Sequence, residues 1–473
     1  MSGAWEMVVG LEVHVQLKTR TKAFCACSTN FGDAPNSNTC PVCLALPGAL
    51  PVLNAHAVEL ATRAALALGC SVHERSVFAR KNYFYPDLPK GYQISQADHP
   101  LATGGHVTLR DGTVLGITRI HMEEDAGKSV HDRFPGMTAI DLNRSGMPLI
   151  EIVGEPEIRG SAQAAAYLKA LREILVYCGV SDCSMEEGSL RVDANISARP
   201  RGETTLRPRT EIKNLNSFSN VERALELEFA RHVATYEAGG TIAQLTMLFD
   251  ALRQEVRAAR SKEESHDYRY FPEPDLPPLV LRMAWMEQQR AAIPELPAAR
   301  RARFVDTLGL SAADAEVLTA ERAVADYFEA VATAAGDGKG AANWVMGEVL
   351  AALNDSGGNI VAFPVAPARL VALIALVKGG TVSSTAAKTV FKAMLTDPAD
   401  PKAIAERDGL VQVGDDSALR GWIDEVWAEH PDEAARFAAG ENKLQGVLVG
   451  FVMKKSKGRA DPKKVNQLLA ARA

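Results

Sequence analysis

No stretch of this chain reaches the roughly 18 consecutive apolar residues that a membrane-spanning helix requires, so no transmembrane helix and no membrane partner are expected. The opening residues, Met1 to Val9, are too short and too acidic for a secretory leader and read as the beginning of a strand. Neither sign of charge dominates: 52 Lys and Arg stand against 58 Asp and Glu, a formal net charge of −6 over 473 residues. That balance leaves a local basic patch as the route to any nucleic acid. The seven cysteines are odd in number and only four of them cluster, which excludes a disulfide framework and points to a reducing, cytoplasmic location. The common nucleotide loops are missing. Ala126-Gly127-Lys128-Ser129 has the end of a G-x-x-x-x-G-K-S loop, but Met122 stands where the first glycine belongs, and no G-x-G-x-x-G opens a helix after a strand. There is no internal repeat and no low-complexity tract. The length exceeds what one hydrophobic core organises, and two or three domains are expected.

Against these absences stand four strand-like stretches with polar, mostly ionisable residues at alternate positions. They are Glu12, His14, Gln16; His121, Glu123, Asp125; Arg191, Asp193, Asn195, Ser197; and Glu211, Lys213. Side chains at i and i+2 of a strand share a face, so each stretch presents one polar side. The first and third back it with an apolar one, Met7 to Leu17 and Leu190 to Ile196 at alternate positions. A solvent face is the plain alternative for any single strand. Solvent faces favour Thr, Lys and Ser, however, whereas carboxylates, imidazoles and amides suit hard cations and phosphates. Four such faces predict an antiparallel sheet whose polar side is a site. Same-face residues lie about 6.5–7 Å apart. Glu12 and His14, with Glu123 or Glu124 from another strand, can therefore converge on one Mg²⁺ of the kind that carries nucleotide phosphates. Asp193, Asn195, Glu211 and Lys213 are further candidates on the same faces. ATP, if bound, would then bind to a sheet through metal and basic residues, as in carboxyl-activating ligases and guanidino kinases.

Cys25-Ala-Cys27 and Cys40-Pro-Val-Cys43 form a C-x-C…C-x-x-C pattern. Two close pairs on separate turns place four thiolates tetrahedrally about Zn²⁺. Four protein ligands leave no open position, so this zinc is expected to be structural, while Cys70, Cys178 and Cys183 read as packing residues. The densest aromatic and basic tract runs from Phe78 to Gln96; in it Arg80, Lys81, Tyr83, Tyr85 and Lys90 either line a polar passage or hold an anion, or belong to a solvated loop. Arg144, in the turn Asn143-Arg-Ser-Gly146, is a candidate phosphate contact.

Residues 1 to about 290 mix strands, hairpins and a few helices. Asp111-Gly112 predicts a type I′ hairpin between His106–Arg110 and Thr113–Ile117. Helices are predicted over Val58–Leu68, stopped by Gly69, and over Ala162–Tyr177, stopped near Gly179. Ser261 and Glu264 have the spacing of a capping box. Beyond the Pro-rich Pro272–Pro278 the strand signals vanish, and helical periods cover Ala298–Leu308, Ala323–Ala335, Trp344–Leu353 and Pro367–Lys378. Asp397–Pro401 reads as a hinge. Leu444, Val447, Leu448, Phe451 and Val452 form one apolar stripe, and Asp461-Pro462 is an N-cap followed by Pro at the first helical position. Near this end Lys443, Lys454, Lys455, Lys457, Arg459, Lys463, Lys464 and Arg472 face only Glu441 and Asp461 in the neighbouring sequence, a basic tip on an acidic chain. Lys454, Lys455, Lys457 and Arg459 are the candidate RNA contacts, with a plain solvated basic face as the alternative.

Several long motifs carry a resemblance. Gly10-Leu-Glu-Val-His-Val-Gln16, Cys40-Pro-Val-Cys-Leu-Ala-Leu-Pro-Gly48, Lys81 to Gln96, His121-Met-Glu-Glu-Asp-Ala-Gly-Lys128, Asp141-Leu-Asn-Arg-Ser-Gly146 and Tyr268-Arg-Tyr-Phe-Pro-Glu-Pro-Asp275 resemble the GatB family, the B subunits of the bacterial-type tRNA-dependent amidotransferase, over nearly the whole chain. Gln254-Glu-Val-Arg257 departs from the family's Gln-Glu-Thr-Arg. The resemblance implies an α+β fold. An antiparallel-sheet cradle domain resembling the glutamine synthetase/guanidino kinase fold (1–290) would be followed by a helical domain (291–400) and a small tRNA-binding tail (401–473). It implies ATP-dependent activation and amidation of Asp or Glu on misacylated Asp-tRNA(Asn) or Glu-tRNA(Gln). Glu12, His14, Glu123 and Glu124 match the family's metal positions, with Mg²⁺ at Glu12, His14 and Glu124; Asp193 and Glu211 stand with them as catalytic candidates. Lys81, Arg144, Asn195 and Lys213 are the candidate ATP contacts. Ammonia would come through a channel from a glutaminase partner, because the chain lacks an amidase nucleophile segment and a nucleophile-elbow cysteine. The partners implied are the other two members of a heterotrimer, the amidase (glutaminase) component and a small third component. The alternative is a zinc-containing tRNA-binding protein without chemistry, whose acidic faces would be solvated.

Overall fold

The computed structural model describes residues 4–259, 268–413, 415–456 and 458–472. The expected capping box at Ser261 and Glu264, and Lys457, lie outside the described residues. Two compact units result, Met1–Ala298 and Ala299–Ala473.

A ten-stranded sheet organises the first unit. Its main strands are β1 (Trp5–Gln16), β2 (Val114–Glu124), β3 (Pro148–Gly154), β4 (Leu190–Pro200), β5 (Thr210–Leu215), β6 (Thr246–Asp250) and β7 (Glu255–Ala258). They lie in the order β7-β6-β5-β4-β1-β3-β2, continued by the two-residue strands Ala102–Thr103 and Ser71–Val72. All four strands with alternating polar residues are therefore in one sheet. The expected antiparallel pairing holds at every ladder except β5–β6, which is parallel. Parallel neighbours need a crossover, and helix α3 (Phe218–Glu237) supplies it.

Alternation decides the two faces. Leu11, Val13 and Val15 of β1 are fully buried, and so are Ala194 and Ile196 of β4, Ile150 and Ile152 of β3 and Ile212 of β5. They share one core with helices α1 (Ala55–Ala67), α2 (Ser161–Tyr177) and α3. Asn54 caps α1 by accepting from His56 and Ala57 N–H, and Ser217 caps α3 by accepting from Asn220 N–H. The predicted stops at Gly69 and Gly179 are present, with φ of +70° and +68°. The Asp111-Gly112 hairpin is also present, but its turn is not type I′. Gly112 N–H donates to Leu109 O, Leu109 N–H donates to Thr113 O, and Gly112 has a positive φ while Asp111 does not. This is a type I turn followed by a left-handed glycine bulge.

Within the second unit, Phe304, Phe328, Val345, Leu370, Phe391, Ile404 and Ala405 belong to one buried cluster. Helices α4 (Arg322–Ala335) and α5 (Pro367–Lys378) pack against each other within it, and the expected helix at Trp344–Leu353 is interrupted by a π-helical turn at Val345–Val349. The core runs past Asp397–Pro401, since the helix Pro401–Arg407 contributes Ile404 and Ala405 to it. A second cluster joins Leu419, Ile423 and Val426 of α6 (Asp416–Glu429), Leu448 and Val452 of α7 (Gln445–Lys455), and Val465 and Leu469 of α8 (Pro462–Ala470). Asp461 caps α8 as expected. The apolar stripe of α7 is narrower than predicted: Leu448 and Val452 are buried, whereas Val447 is exposed.

Two adjacent glycines in the first unit separate backbone strain from space. Gly104 and Gly105 both have positive φ, +69° and +100°. A Cβ on Gly104 would meet nothing, whereas one on Gly105 would strike Cys70 Sγ and lie 2.8 Å from Leu68 O. Gly104→Ala is expected to cost about 1–2 kcal/mol and Gly105→Ala about 2–5 kcal/mol, read from the shift in urea midpoint.

Candidate active site

Cross-strand register builds the polar face. Glu151 of β3 pairs with His121 of β2 on one side and His14 of β1 on the other, and His14 pairs with Arg191 of β4. One row of side chains thus reads His121, Glu151, His14, Arg191. Glu123 lies on the same face two residues beyond His121. His14 Nε2 is 3.4 Å from Glu151 and 3.6 Å from Glu123, and His121 Nε2 is 3.2 Å from Glu151 and 3.8 Å from Glu123. His121 Nδ1 is buried without a partner. Burial alone would raise the Glu151 carboxyl, but hydrogen bonds from His121 and His14 hold it well below the ordinary carboxylate range. Burial likewise opposes the His121 charge, and its bonds to Glu123 and Glu151 push it up to about 9.

His14, Glu123 and Glu151 each present one ligand atom within 4.8 Å of the others. Two carboxylates and an imidazole at this spacing are a donor set for a divalent cation that keeps several waters. The sequence pattern brought His14 and Glu123 here, and the structure adds Glu151. Glu124 is engaged separately: Lys90 holds its carboxylate, which also accepts Ile94 N–H at 2.9 Å. Glu12 is not in the cluster. It accepts from Asn195 Nδ2 at 3.0 Å, and burial, followed by Glu151, Glu211 and Asp193, raises its pKa. Lys213 Nζ bridges Asp193 and Glu211 at 3.0 Å each, and those two carboxylates keep its charge although burial opposes it. The Glu12, Asp193, Asn195, Glu211 and Lys213 candidates are therefore one connected group beside the histidines.

Lys81 lies under an aromatic wall, 4.9 Å from the Tyr268 ring and 6.0 Å from Tyr83. Its charge is favoured by Glu123 against the cost of burial. Arg144 does not stand free for a phosphate. Its guanidinium donates to Ala126 O at 3.0 Å and Gly127 O at 2.6 Å and lies 3.7 Å from Asp125. Asp125 also meets Arg191 at 3.0 Å and accepts from Gln16 at 3.2 Å.

The four cysteines converge. Cys43 Sγ lies 3.6 Å from Cys25 and 3.8 Å from both Cys40 and Cys27. A tetrahedron of 2.3 Å zinc–sulfur bonds has edges of about 3.8 Å, so Cys25, Cys27, Cys40 and Cys43 fit a closed metal site. The other three cysteines are buried packing residues.

In the second unit, the basic tip needs a correction. Lys455 is paired with Glu425 at 2.9 Å and with Glu429, and Arg472 is paired with Asp424. These acids are on α6, distant in sequence but packed beside α7 and α8. Lys454 is exposed, and Arg459 lies 5.8 Å above the Trp422 ring.

Comparison with known proteins places this arrangement. A family model described as the GatB/GatE catalytic domain matches residues 7–287, so the first unit is a domain of that catalytic class. A second, described as the GatB domain, matches residues 326–472. The aspartyl/glutamyl-tRNA(Asn/Gln) amidotransferase B subunit of Geobacter sulfurreducens is 55% identical over 471 residues, covering 98% of each chain. The proteins of the same name from Chlorobium luteolum and Carboxydothermus hydrogenoformans are 53% and 52% identical, each again covering 98% of both chains. The chain belongs to this family of amidotransferase B subunits, as its motifs indicate.

The cysteine geometry carries its own test. The purified chain is expected to contain one zinc per molecule by elemental analysis. Cys40→Ser is expected to lose that zinc and roughly 2–5 kcal/mol of stability. A stably folded, metal-free wild-type chain would contradict it.

Proposed function

We propose that this chain is the amidotransferase component that activates and amidates the misacylated Asp of Asp-tRNA(Asn) or Glu of Glu-tRNA(Gln), giving Asn-tRNA(Asn) or Gln-tRNA(Gln). The observation that carries the reading is the His14, Glu123 and Glu151 cluster on the polar face of the cradle sheet, in a chain of this family. The likeness of that sheet to the glutamine synthetase/guanidino kinase cradle belongs to the same reading.

An amide does not form from a carboxylate directly, because oxide is a poor leaving group. A carboxylate oxygen of the aminoacyl side chain attacks the γ-phosphorus of ATP, ADP leaves, and an acyl phosphate results. The lone pair of ammonia then attacks the carbonyl carbon, phosphate leaves with the C–O electrons, and nitrogen gives up a proton. His14, Glu123 and Glu151 would hold magnesium. When bound, that ion supplies charge neutralisation and alignment for the phosphate oxygens. Lys81, beside Glu123, is the cation available to a phosphoryl oxygen, and Lys213 and Asn195 hold the adjoining acidic group in place. Glu12, with its raised proton affinity, is suited to accept the proton from nitrogen. The four cysteines would hold a structural zinc.

The same reading includes a cytoplasmic heterotrimer with an amidase partner, which would supply the ammonia through a channel, and a small third component. The reading as an RNA-binding protein without chemistry requires solvated acidic faces. Glu123 and Glu151 are only 5% and 8% exposed, which disfavours it.

In the reconstituted complex, Glu151→Gln and His14→Ala are each expected to lower amidation and tRNA-dependent ATP hydrolysis by roughly a thousandfold. The tRNA dissociation constant should stay within about twofold, because phosphate contacts elsewhere govern it. Near-normal ATP hydrolysis at saturating Mg²⁺ in either variant would contradict the assignment. The tail is tested by truncation. A cut at Lys402 would remove Ile404 and Ala405 from a core, so the deletion should begin at Asp415. Deleting residues 415–473 is expected to raise KM for misacylated tRNA roughly tenfold or more, most clearly at low salt. Glutaminase activity of the complex without tRNA should remain.

A further inference from the structure

Lys22 is fully buried, a costly place for an ammonium unless it is well paired. Its Nζ donates to Asn38 O at 2.8 Å and to Leu142 O at 3.1 Å, and lies 3.4 Å from Cys43 Sγ. These partners belong to two different segments. Asn38 and Cys43 are in the cysteine-bearing knuckle, and Leu142 starts the turn that carries Arg144. Four thiolates around a zinc ion leave a net charge of two negatives, and this ammonium is buried against one of the four sulfurs.

The knuckle and the turn are joined along their length. Asn36 donates to Ile140 O at 2.9 Å and accepts Leu142 N–H at 2.7 Å. Asn143 accepts Asn38 N–H at 2.8 Å and donates to Ala34 O at 2.8 Å. Beside Lys22, Ala23 N–H donates to Gly146 O at 2.8 Å. From the turn the contacts continue to the polar face. Gly146 N–H donates to Asp125 O at 2.9 Å, Asp125 N–H donates to Met147 O at 2.8 Å, and Arg144 holds the carbonyls of Ala126 and Gly127. Asp125 is two residues beyond Glu123 and meets Arg191.

We propose that Lys22 is a positioning residue that couples the metal–thiolate cluster to the active-site face: its ammonium offsets the charge of the bound cysteines and at the same time clamps the Leu142 carbonyl, so that metal in the knuckle fixes the Arg144 turn and the Asp125 edge of the sheet. Outer partners of a metal site tune its affinity and orientation in this way. The inference rests on the zinc reading given above and adds to it an effect of that zinc on the chemistry, exerted through the chain.

The test uses the assembled complex with Lys22→Met, which is one atom shorter, fills most of the same space and removes the charge. Zinc release to a chromogenic chelator is expected to quicken roughly tenfold. Amide hydrogen exchange at Ser145 to Met147 should quicken, while exchange in α2 stays unchanged. Amidation kcat should fall roughly tenfold with KM for aminoacyl-tRNA within about twofold. Extracting zinc from the wild-type complex should produce the same exchange change. Unchanged zinc release together with unchanged exchange in the variant would overturn the coupling. If α2 exchange also rises, the variant has unfolded and zinc extraction from the wild-type complex decides. No quickening at Ser145 to Met147 on that extraction overturns the proposal. Absence of zinc from the wild-type complex would remove the zinc reading itself, whereas zinc present with no effect on the turn would remove only the coupling.

Discussion

Carboxylates crowded onto one face of a sheet repel one another, and the polar side of the first unit is arranged around that repulsion. At about 4 Å two charges interact by about 4 kcal/mol near a protein surface, several times the value in water, so each acid needs a cation at hand. Glu151 and Glu123 have His14 and His121, Asp125 has Arg191 and Arg144, and Asp193 and Glu211 share Lys213. Glu12 is the exception, with an amide as its partner and three carboxylates acting on it. The uncompensated negative charge of the face is therefore concentrated at Glu12. The fold supplies this pattern through register: a slip of one residue in any central strand would turn its acids into the helical core.

Much of this face was legible from strand periodicity. Period-two alternation identified four of its five strands and both histidines, since a strand with one buried side must write its pattern into the chain. Glu151 was missed. It stands in Pro148-Leu-Ile-Glu-Ile-Val-Gly154, which reads as a buried strand with one acid in it. That lone acid was the available signal, because a charge in an apolar run must find partners. Strand order was not legible: β3 sits between β1 and β2 because of pairings far apart in sequence. The choice between Glu123 and Glu124 depended on the same register, and the sequence left both open.

Elsewhere the limits have similar causes. Caps and stops are local, so Asp461 and Gly69 could be placed from their neighbours alone. Charge compensation is not local. The acids Glu425 and Glu429, which neutralise Lys455, belong to another helix of the tail, outside the stretch of sequence in which the cations stand. The extent of a core is not local either, so Asp397–Pro401 resembled a hinge although the helix after it completes the packing before it.

The position of β1 has a consequence for how the protein is made. It lies at the middle of the sheet, yet Gln16 pairs with Leu149 and Val15 with Leu190. Translation runs at about 5–20 residues per second, so this strand, apolar along one side, waits on the order of ten seconds before its partners leave the ribosome. Contacts of such long separation form slowly and leave strand edges open to other chains. Assembly of the sheet is thus a late event in synthesis, and β1 is the segment most dependent on protection during that interval.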